Sequence, residues 1–456
     1  MKLYNTLSGA TETFRPLGDV VGMYVCGVTP YSPSHVGHAL RAVVFDVVRR
    51  YLEYRGHKVK HVENFTDIDD KMIQGAAAVG VSTDELAEGY IDTYLMEMDA
   101  LNVKRAHLYP RATLEIPRIQ EMIQVLVDKG MAYAVDGDVY FRVRESKDYG
   151  KLGRRDLDAM MAGARVEIDE RKEDLMDFSL WKSQKPGEPA WDGPWGPGRP
   201  GWHIECSAMA LGYLGATVDI HGGGQDLVFP HHENEIAQTE AYTGGEPMAR
   251  FWMHNGLMRL GDNKMSKSLG NLVTVGEALA RFSSDALRLF FLSSHYRSPL
   301  TYSDEGVGGQ ERAAERLRNA VNLPGPSEPR DALDADPFKQ RFNEAMDDDL
   351  NTPRAIAVLF DLAHDINRAR EEDRDVGEAQ GTLRELAGVL GLTLEEGGRD
   401  GSEEVGPLVE LLIESRAELR AAKLYDKADQ VRDRLAELGY LLEDTPRGTE
   451  WKRRGR

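Results

Sequence analysis

Hydrophobic residues near the start of the chain follow two periods in turn. The run GMYVCGV is short and apolar, as in a buried strand, and KVKHVENF has the same character. Between them, HALRAVVFDVVRRYLEYRG repeats its apolar positions at helical spacing and stops at Gly56, a residue suited to a helix C-cap. Strand, helix and strand in this order predict a βαβ unit with parallel strands, the beginning of a Rossmann-type α/β sheet.

The middle of the chain interrupts this pattern. The segment AYAVDGDVYFRV alternates like a hairpin that turns at Asp136-Gly137, and KPGEPAWDGPWGPGRPG is too rich in Pro and Gly for regular structure. The α/β pattern resumes at WHIECSAMALGYLG and TVDIHGGG. We therefore predict an insertion that divides the sheet into two halves.

Beyond residue 310 the pattern is almost wholly helical, with linkers at NLPGPSEPRDALDADP and TLEEGGRDGSEEVGP. The predicted fold class is α/β, a Rossmann-type parallel-sheet domain with an insertion, followed by helical C-terminal domains. The predicted boundaries are 1–111 and 200–255 for the sheet, 112–199 for the insertion, 256–312 for a connecting region, 313–395 for a helical bundle and 405–456 for a small C-terminal domain.

Length and charge narrow the class of protein. A chain of 456 residues is too long for one hydrophobic core and indicates two to four domains. The N-terminus, MKLYNTLSGATETF, has no apolar signal region, and no run of about 18 apolar residues occurs, so we expect a cytoplasmic protein that does not enter a membrane. The net charge of −20 argues against broad affinity for nucleic acid, although WKRRGR at the end forms a local basic patch.

The two cysteines, Cys26 and Cys206, admit three interpretations: a disulfide, two inert buried thiols, or metal ligands. His231 and Glu235 lie four residues apart, which places both on one helical face. Such a pair lies more often on a surface, and the spacing allows His232 equally. Because parallel strands end at one edge of a sheet, two thiolates, an imidazole and a carboxylate could meet there as a tetrahedral zinc site.

Two further segments suit phosphate. PSHVGHA places His35 and His38 around a glycine at a loop-to-helix junction, where backbone amides attract anions, although capping or surface histidines are an alternative. GDNKMSKSLGN places Lys264 and Lys267 in a loop bounded by glycines. Paired lysines on such a loop suit a mobile clamp on pyrophosphate, whereas a generic pair would be a solvated basic turn.

The segment HGGGQD is a candidate nucleotide contact. Glycines such as Gly223 let the backbone approach a nucleotide, and Asp226 suits the hydroxyls of a ribose. A plain glycine-rich turn explains the segment equally well.

These motifs together resemble those of the class I aminoacyl-tRNA synthetases, and most closely the cysteinyl-tRNA synthetase family. HVGH precedes KMSKS by about 230 residues on an α/β chain. The resemblance extends nearly end to end and is carried by YVCGVTPYSPSHVGHA, NFTDIDDKM, GWHIECSAM, HGGGQDLVFPHHENEIAQ, NKMSKSLGN, DALRLFFLSSHYRSPLTYS, AMDDDLNTPRA and GTEWKRR.

The resemblance implies roles for the candidate residues. The family's zinc ligands match Cys26, Cys206, His231 and Glu235, which selects His231 over His232. The predicted substrate-binding residues are Gly27, Thr29, Thr66, Trp202 and His221. The predicted ATP-binding residues are His35, His38, Gly223, Asp226 and Lys267. The predicted catalytic residues are His35 and His38, which fill the HIGH signature with Val36 in place of isoleucine, together with Lys264 and Lys267 of KMSKS.

The resemblance also implies an activity and its partners. The expected enzyme is a class I ligase that activates L-cysteine with ATP and transfers it to tRNA(Cys), with one Zn²⁺ per chain that selects the substrate thiolate and with Mg²⁺ accompanying ATP. Residues 256–312 would carry KMSKS and contact the tRNA stem, and residues 405–456 would bind the anticodon. The family usually works as a monomer, and we expect the same here.

Three rival interpretations are weaker. A related amino-sugar ligase also forms cysteinyl-adenylate but does not need the more than one hundred residues that follow KMSKS here. A non-catalytic paralogue would be expected to lose a signature residue, and the only change is the mild one at Val36. A zinc-stabilised scaffold would not need a phosphate clamp.

The basic residues near the C-terminus are expected to form a stripe that faces tRNA, made of Lys452, Arg453, Arg454, Arg456 and the helix around 416–427. Reversing the charges of residues 452–454 should therefore weaken tRNA binding at low salt. Binding titrations with labelled tRNA(Cys) test this placement, and an unchanged affinity would show it to be wrong.

Overall fold

The computed structural model describes residues 1–155, 170–260, 263–264, 272–395, 402–422, 424–438, 440–445 and 448–453. The chain divides into two compact units, Met1–Leu394 and Glu395–Arg456. The finer domain boundaries given above stay predictions.

The regular elements are as follows. The strands are β1 (Lys2–Asn5), β2 (Ala10–Thr13), β3 (Val20–Val28), β4 (Lys58–Phe65), β5 (Ala132–Val135), β6 (Asp138–Phe141), β7 (Phe178–Ser183), β8 (Gly198–Pro200), β9 (Val218–Gly224), β10 (Ala249–Asn255), β11 (Met258–Leu260), β12 (Asn263–Lys264), β13 (Leu300–Tyr302), β14 (Tyr440–Thr445) and β15 (Gly448–Arg453). The helices are α1 (Val36–Tyr54), α2 (Asp70–Val79), α3 (Thr83–Ala100), α4 (Ile116–Asp128), α5 (Trp202–Leu214), α6 (Glu233–Thr243), α7 (Val275–Arg281), α8 (Ser284–Leu292), α9 (Asp304–Asn322), α10 (Asp336–Asp347), α11 (Thr352–Glu371), α12 (Gly377–Val389), α13 (Ser402–Ala421) and α14 (Tyr425–Glu437).

A parallel sheet with the strand order β10-β9-β3-β4 forms the centre of the first unit. Helix α1 connects β3 to β4 and buries its apolar face, including Val43 and Val48, in the main core. Gly56, just beyond the C-cap of α1, has φ +85, the left-handed conformation that glycine adopts without strain. The predicted βαβ unit and its parallel sheet are confirmed.

An antiparallel sheet with the order β5-β6-β7-β8 is inserted in the sequence between the two halves of the parallel sheet, and it packs with α4 around a core of its own. Strands β5 and β6 form the predicted hairpin, in which Asp136 and Gly137 both have positive φ. Two successive positive-φ residues are typical of the tight turns that match the twist of a hairpin.

Helices α9 to α12 continue the first unit, and the predicted linker NLPGPSEPRDALDADP spans the loop between α9 and α10.

Two hairpins depart from the predicted pattern. Strands β1 and β2 precede the parallel sheet, and β14 and β15 end the second unit, which is therefore not wholly helical. The rings of Tyr440 and Trp451 lie 5.8 Å apart across the second hairpin, and such aromatic pairs stabilise an isolated pair of strands.

The basic stripe predicted near the C-terminus needs one correction. Arg416 is only 4% exposed, because α13 turns this side chain toward the interior of the second unit, and it cannot contribute to an exposed stripe. Lys452 and Arg453 lie on β15, but their side chains, like Arg454 and Arg456, fall outside the described residues.

Over the described part of the chain, no helix has the length and apolar character needed to cross a membrane.

A buried ion pair joins the parallel sheet domain to the helical bundle. The guanidinium of Arg288, on α8, donates to Asp46 Oδ2 of α1 at 2.6 Å, and both side chains are fully buried. Arg288 also donates to the carbonyl oxygens of Leu101 and Leu390, each at 2.9 Å. One side chain therefore holds together four segments that are distant in sequence.

Replacing Asp46 by Asn should lower the free energy of unfolding by roughly 3–5 kcal/mol, because Arg288 would stay buried without a countercharge. Urea denaturation measures this change. The matched control is Asp348→Asn, which removes the partner of Arg354 from an exposed pair whose side chains are 61% and 62% accessible. This control should cost only about 0–1 kcal/mol. Equal effects of the two substitutions would contradict the importance of the buried pair.

Candidate functional site

The candidate site lies where the carboxyl ends of β3 and β9 meet. Tyr24 of β3 pairs with His221 of β9. Cys26, two residues further along β3, therefore lies near this histidine at the carboxyl end of the strand. The guanidinium of Arg41 on α1 donates to the carbonyl oxygen of Cys26 and to Glu63 Oε1 at 2.7 Å, which fixes the end of the strand. Cys206 enters from the first turns of α5. The sheet positions Cys26, whereas a helix and not a strand end positions Cys206, which corrects the expected route. Both thiols are free rather than joined in a disulfide.

A short π-type turn, Val228–His232, leads into α6 and supplies the remaining polar groups. His231 Nε2 lies 3.0 Å from Glu235 Oε1, so the four-residue spacing places both on one face, as predicted. The possible ligand atoms of Cys26, His231, His232 and Glu235 all lie within 4.8 Å of one another, and all four residues are buried. We call these four residues and Cys206 the thiol-imidazole cluster.

Close neighbours within and beside the thiol-imidazole cluster shift the pKa values of its thiols and its carboxylate. A hydrogen bond from Cys26 and the nearby charge of His231 lower the pKa of Cys206 to about 6, whereas burial raises the pKa of Cys26 well above its ordinary value. Burial also acts to raise the pKa of Glu235, but the imidazoles of His221 and His231 hold it well below its ordinary value. The protein therefore gathers a thiolate, a carboxylate and imidazoles in a space from which water is excluded, a donor set that suits Zn²⁺.

A second ring of side chains fixes the imidazoles. His203 Nδ1 lies 2.9 Å from His231 Nδ1, and His254 Nε2 lies 2.8 Å from His232 Nδ1. The ring of Trp252 packs against His221 with 4.4 Å between centroids. Hydrogen bonds to the far nitrogen of a metal-binding histidine commonly set its tautomer and direction. None of these residues was predicted from the sequence, although Trp252 and His254 are two apart on β10 and so share one face.

The helix of the cluster is tied to the insertion by Glu233. Its carboxylate accepts three backbone hydrogen bonds, from Gly150 at 2.9 Å, Leu152 at 3.0 Å and Gly153 at 2.8 Å. The loop over the site is therefore held to the first turn of α6.

A cavity of about 580 Å³ opens beside the cluster. It is lined by two predicted substrate-binding residues, Thr29 and Trp202. Trp202 stacks on His231 at 4.2 Å between centroids yet is 42% exposed, so one ring joins the buried cluster to the open cavity. Cavities of this size hold small-molecule ligands larger than a single amino acid.

The other predicted substrate-binding residues, Gly27, Thr66 and His221, are not among those that line this cavity. His221 Nε2 lies 3.6 Å from Cys26 Sγ, while Thr66 is buried and its hydroxyl accepts from the side-chain amide of Asn64 at 3.3 Å. Gly27 approaches the same asparagine so closely that a Cβ would lie 1.6 Å from the Asn64 carbonyl oxygen. Any side chain at position 27 would displace the neighbouring strand.

The predicted ATP-binding residues are more dispersed. His35 caps α1 by accepting from Gly37 N at 3.1 Å, and its ring stacks on His38 at 3.8 Å. A bridge between His35 and Thr274 joins this turn to the segment after KMSKS. Lys264 lies on the short strand β12, and Lys267 falls outside the described residues.

Gly223 and Asp226 lie at the end of β9. A Cβ on Gly223 would come within 2.9 Å of both His232 and Leu227, so close packing against the cluster requires glycine there. Asp226 lines a second cavity, of about 590 Å³, together with His254 and Phe229. Phe229 borders both cavities, so the two lie on either side of its ring.

Comparison with known proteins identifies the family. A family model described as the catalytic domain of class I (C) tRNA synthetases matches residues 13–311, and a DALR domain matches residues 341–395. A cysteine–tRNA ligase of Dehalococcoides mccartyi is 55% identical over 454 residues, which are 99% of each chain. The chain belongs to the cysteine–tRNA ligase family. A ligase of this family from Carboxydothermus hydrogenoformans is 50% identical over 99% of this chain and 100% of its own.

Solved structures agree on the fold. Methionyl-tRNA synthetase of Mycobacterium tuberculosis, in complex with methionyl-adenylate, has a TM-score of 0.59 at 18% identity and covers 87% of this chain and 94% of its own. The Rossmann-type class I fold predicted from the sequence is therefore confirmed, as are the resemblance to this family and the assignment as an enzyme. The roles of individual site residues in this cysteine–tRNA ligase family member stay predictions.

Two ligand sets are compatible with the cluster. Both contain Cys26, His231 and Glu235. His232 completes the set whose ligand atoms lie within 4.8 Å of one another, and Cys206 completes the set that the family resemblance implies. Both ring nitrogens of His231 and of His232 face neighbouring groups, so these contacts do not distinguish the two sets. Cys206 has a lowered pKa and brings the negative charge that favours a divalent cation. The negative charge of Cys206 favours this residue as the fourth ligand, as the family resemblance implies.

Cys206→Ala should therefore lose most of its bound zinc, whereas His232→Asn should retain it, because only the first removes a charged ligand. Zinc per chain, measured by emission spectroscopy after dialysis against a weak chelator, distinguishes the two. Thermal unfolding of each variant checks that the fold is intact. Zinc retention by Cys206→Ala with loss from His232→Asn would assign the fourth ligand to His232.

Proposed function

We propose that the chain activates L-cysteine with ATP and transfers it to the 3′ end of tRNA(Cys). The carboxylate of cysteine attacks the α-phosphorus of ATP, which forms cysteinyl-adenylate and releases pyrophosphate. A hydroxyl of the terminal adenosine of tRNA then attacks the adenylate carbonyl and releases AMP. The observation that carries the proposal is the thiol-imidazole cluster beside a cavity in a chain 55% identical to a cysteine–tRNA ligase.

Selection of cysteine over serine is the chemical problem that the cluster would solve. The two substrates are nearly the same size, and a pocket gains only about 1–3 kcal/mol from one small difference in side-chain volume. Cys26, Cys206, His231 and Glu235 would hold one Zn²⁺, an ion that would favour the thiolate of cysteine over the neutral hydroxyl of serine. Trp202 and Thr29 would enclose the rest of the amino acid in the adjoining cavity.

The chain's own groups would contribute positioning and charge stabilisation. His35 and His38 lie at the start of α1, where backbone amides and imidazoles can donate to the phosphates of ATP. Lys264 and Lys267 would neutralise the departing pyrophosphate, Gly223 and Asp226 would contact the nucleoside, and Mg²⁺ would arrive with ATP. No side chain is needed as a covalent nucleophile.

The remaining expectations concern the oligomeric state, the cellular compartment and the contact with tRNA. We propose that the enzyme works as a monomer in the cytoplasm and that the unit from residue 395 onward contacts the anticodon.

The decisive experiment is cysteine-dependent exchange of labelled pyrophosphate into ATP in the absence of tRNA. Exchange should require cysteine, should not occur with serine, and should fall after zinc is removed by chelation and recover when zinc is restored. Aminoacylation of tRNA(Cys) in a second assay separates the proposal from an amino-sugar ligase, which would pass the first test alone. A folded, zinc-containing chain without exchange would contradict the adenylation step.

A further inference from the structure

The cavity beside the thiol-imidazole cluster carries more positive charge than a cysteine pocket requires. Its lining includes four cationic side chains in a chain whose net charge is −20: Lys71, Lys172, Lys182 and Arg199. Arg199 is on β8, which leads within three residues to Trp202 at the start of α5. The cationic side of the cavity is therefore directly connected to the predicted amino-acid pocket.

Two of these cations face each other across a strand pair. Lys182 of β7 is the register partner of Arg199 of β8, so the side chains leave the same face of the sheet. Like charges directly opposite each other on neighbouring strands are destabilising. An arrangement of this kind needs an anion between the two groups.

Asp70 supplies that anion from outside the insertion. It lies in the first turn of α2, where its Oδ2 accepts from Lys182 Nζ at 2.7 Å and its Oδ1 accepts from Arg199 Nη2. Glu188 is more distant, with 3.6 Å between its Oε2 and Arg199 Nε. The side chains of Asp70 and Lys182 are 49% and 37% exposed, whereas that of Arg199 is 3% exposed, so an incoming anion meets Lys182 first and reaches Arg199 by displacing Asp70.

The other carboxylates on the cavity wall are engaged by backbone amides. Asp69 accepts from Met72 N at 2.7 Å, and Asp177 accepts from Val143 N at 3.0 Å. Asp70 differs because its partners are two cationic side chains, which a pair of phosphate oxygens would satisfy equally well.

We infer that Lys182 and Arg199 form a subsite for a phosphodiester of the unpaired 3′ end of tRNA, and that Asp70 occupies this subsite until the RNA arrives. The inference rests on the proposed function, in which the terminal adenosine must reach the amino-acid pocket. The predicted ATP contacts lie elsewhere, at the start of α1 and in the second cavity that Asp226 lines. The phosphate in this subsite therefore belongs to the RNA rather than to ATP.

The experiment compares three lysine variants of the full chain by direct binding of tRNA(Cys) at several salt concentrations. Lys182→Ala should weaken binding roughly tenfold, since it removes a charge-assisted hydrogen bond. It should also reduce the slope of log K against log salt by about 0.7, the value for one phosphate contact on a single strand. Lys182→Arg should restore most of the affinity. Lys185→Ala, which removes the same charge from an exposed position outside the cavity, should change neither quantity.

Asp70→Asn provides a test of opposite sign. If Asp70 competes with the RNA, its removal strengthens tRNA binding, and the gain disappears when Lys182 is also replaced by Ala. If Asp70 and Lys182 merely brace the insertion, both single variants weaken binding together and the salt slope does not change. That result would overturn the inference.

A shortened RNA identifies the part of the ligand that is bound. The difference between the wild-type chain and Lys182→Ala should vanish with tRNA(Cys) that lacks its unpaired 3′ nucleotides, and a difference that persists would contradict the assignment. A rise in the KM for ATP in pyrophosphate exchange by Lys182→Ala would overturn it in favour of the triphosphate. Because binding needs no catalysis, a chain that bound RNA as expected but gave no exchange would contradict the proposed function alone.

Discussion

The fully buried contact between Arg288 and Asp46 is the interaction on which the arrangement of the first unit depends. Asp46 also accepts from Arg50 Nε at 2.8 Å and from the backbone of Lys104 at 2.9 Å, so its carboxylate has several donors. Burying two charges is costly unless each is surrounded by such partners. The polar contacts between α1, α8 and the helical bundle therefore form together or not at all, and they set the position of α1.

Helix α1 passes this constraint on to the candidate site. His35 caps its first turn, and Arg41, which follows on the helix, donates to the carbonyl oxygen of Cys26. Asp46 lies further along the same helix. One rigid helix thus relates the predicted ATP contacts to the predicted metal ligands. The parallel sheet supplies the second relation, because β3 and β9 end together and bring Cys26 beside His221.

Much of this arrangement could be predicted from periodicity and the geometry of parallel sheets. The rule that parallel strands end at one edge accounts for Cys26 beside His221, whereas Cys206, 180 positions from Cys26, reaches the site from helix α5. The choice between His231 and His232 could not be made from spacing, because both adjacent residues turn toward Cys26 and Glu235. Only the family resemblance makes that choice, because the ring nitrogens of both histidines face neighbouring groups.

Other features depend on contacts that no local pattern contains. The facing of Lys182 and Arg199 is set by strand register across a long loop rich in Pro and Gly, and the helix that supplies Asp70 lies more than a hundred residues earlier. The hairpin β14-β15 was missed because its alternation is short and follows a strongly helical segment. The burial of Arg416 was missed for a related reason, since charge alone does not tell which face of a helix is covered.

The three amide hydrogen bonds accepted by Glu233 have a consequence for cooperativity. The donors, from Gly150 to Gly153, are about eighty positions away along the chain from their acceptor. Local opening in proteins occurs in contiguous cooperative units, whose members gain and lose structure together. The loop from the insertion and the first turn of α6 belong to one such unit, so the loop cannot open by itself without exposing a buried carboxylate one residue away from His232.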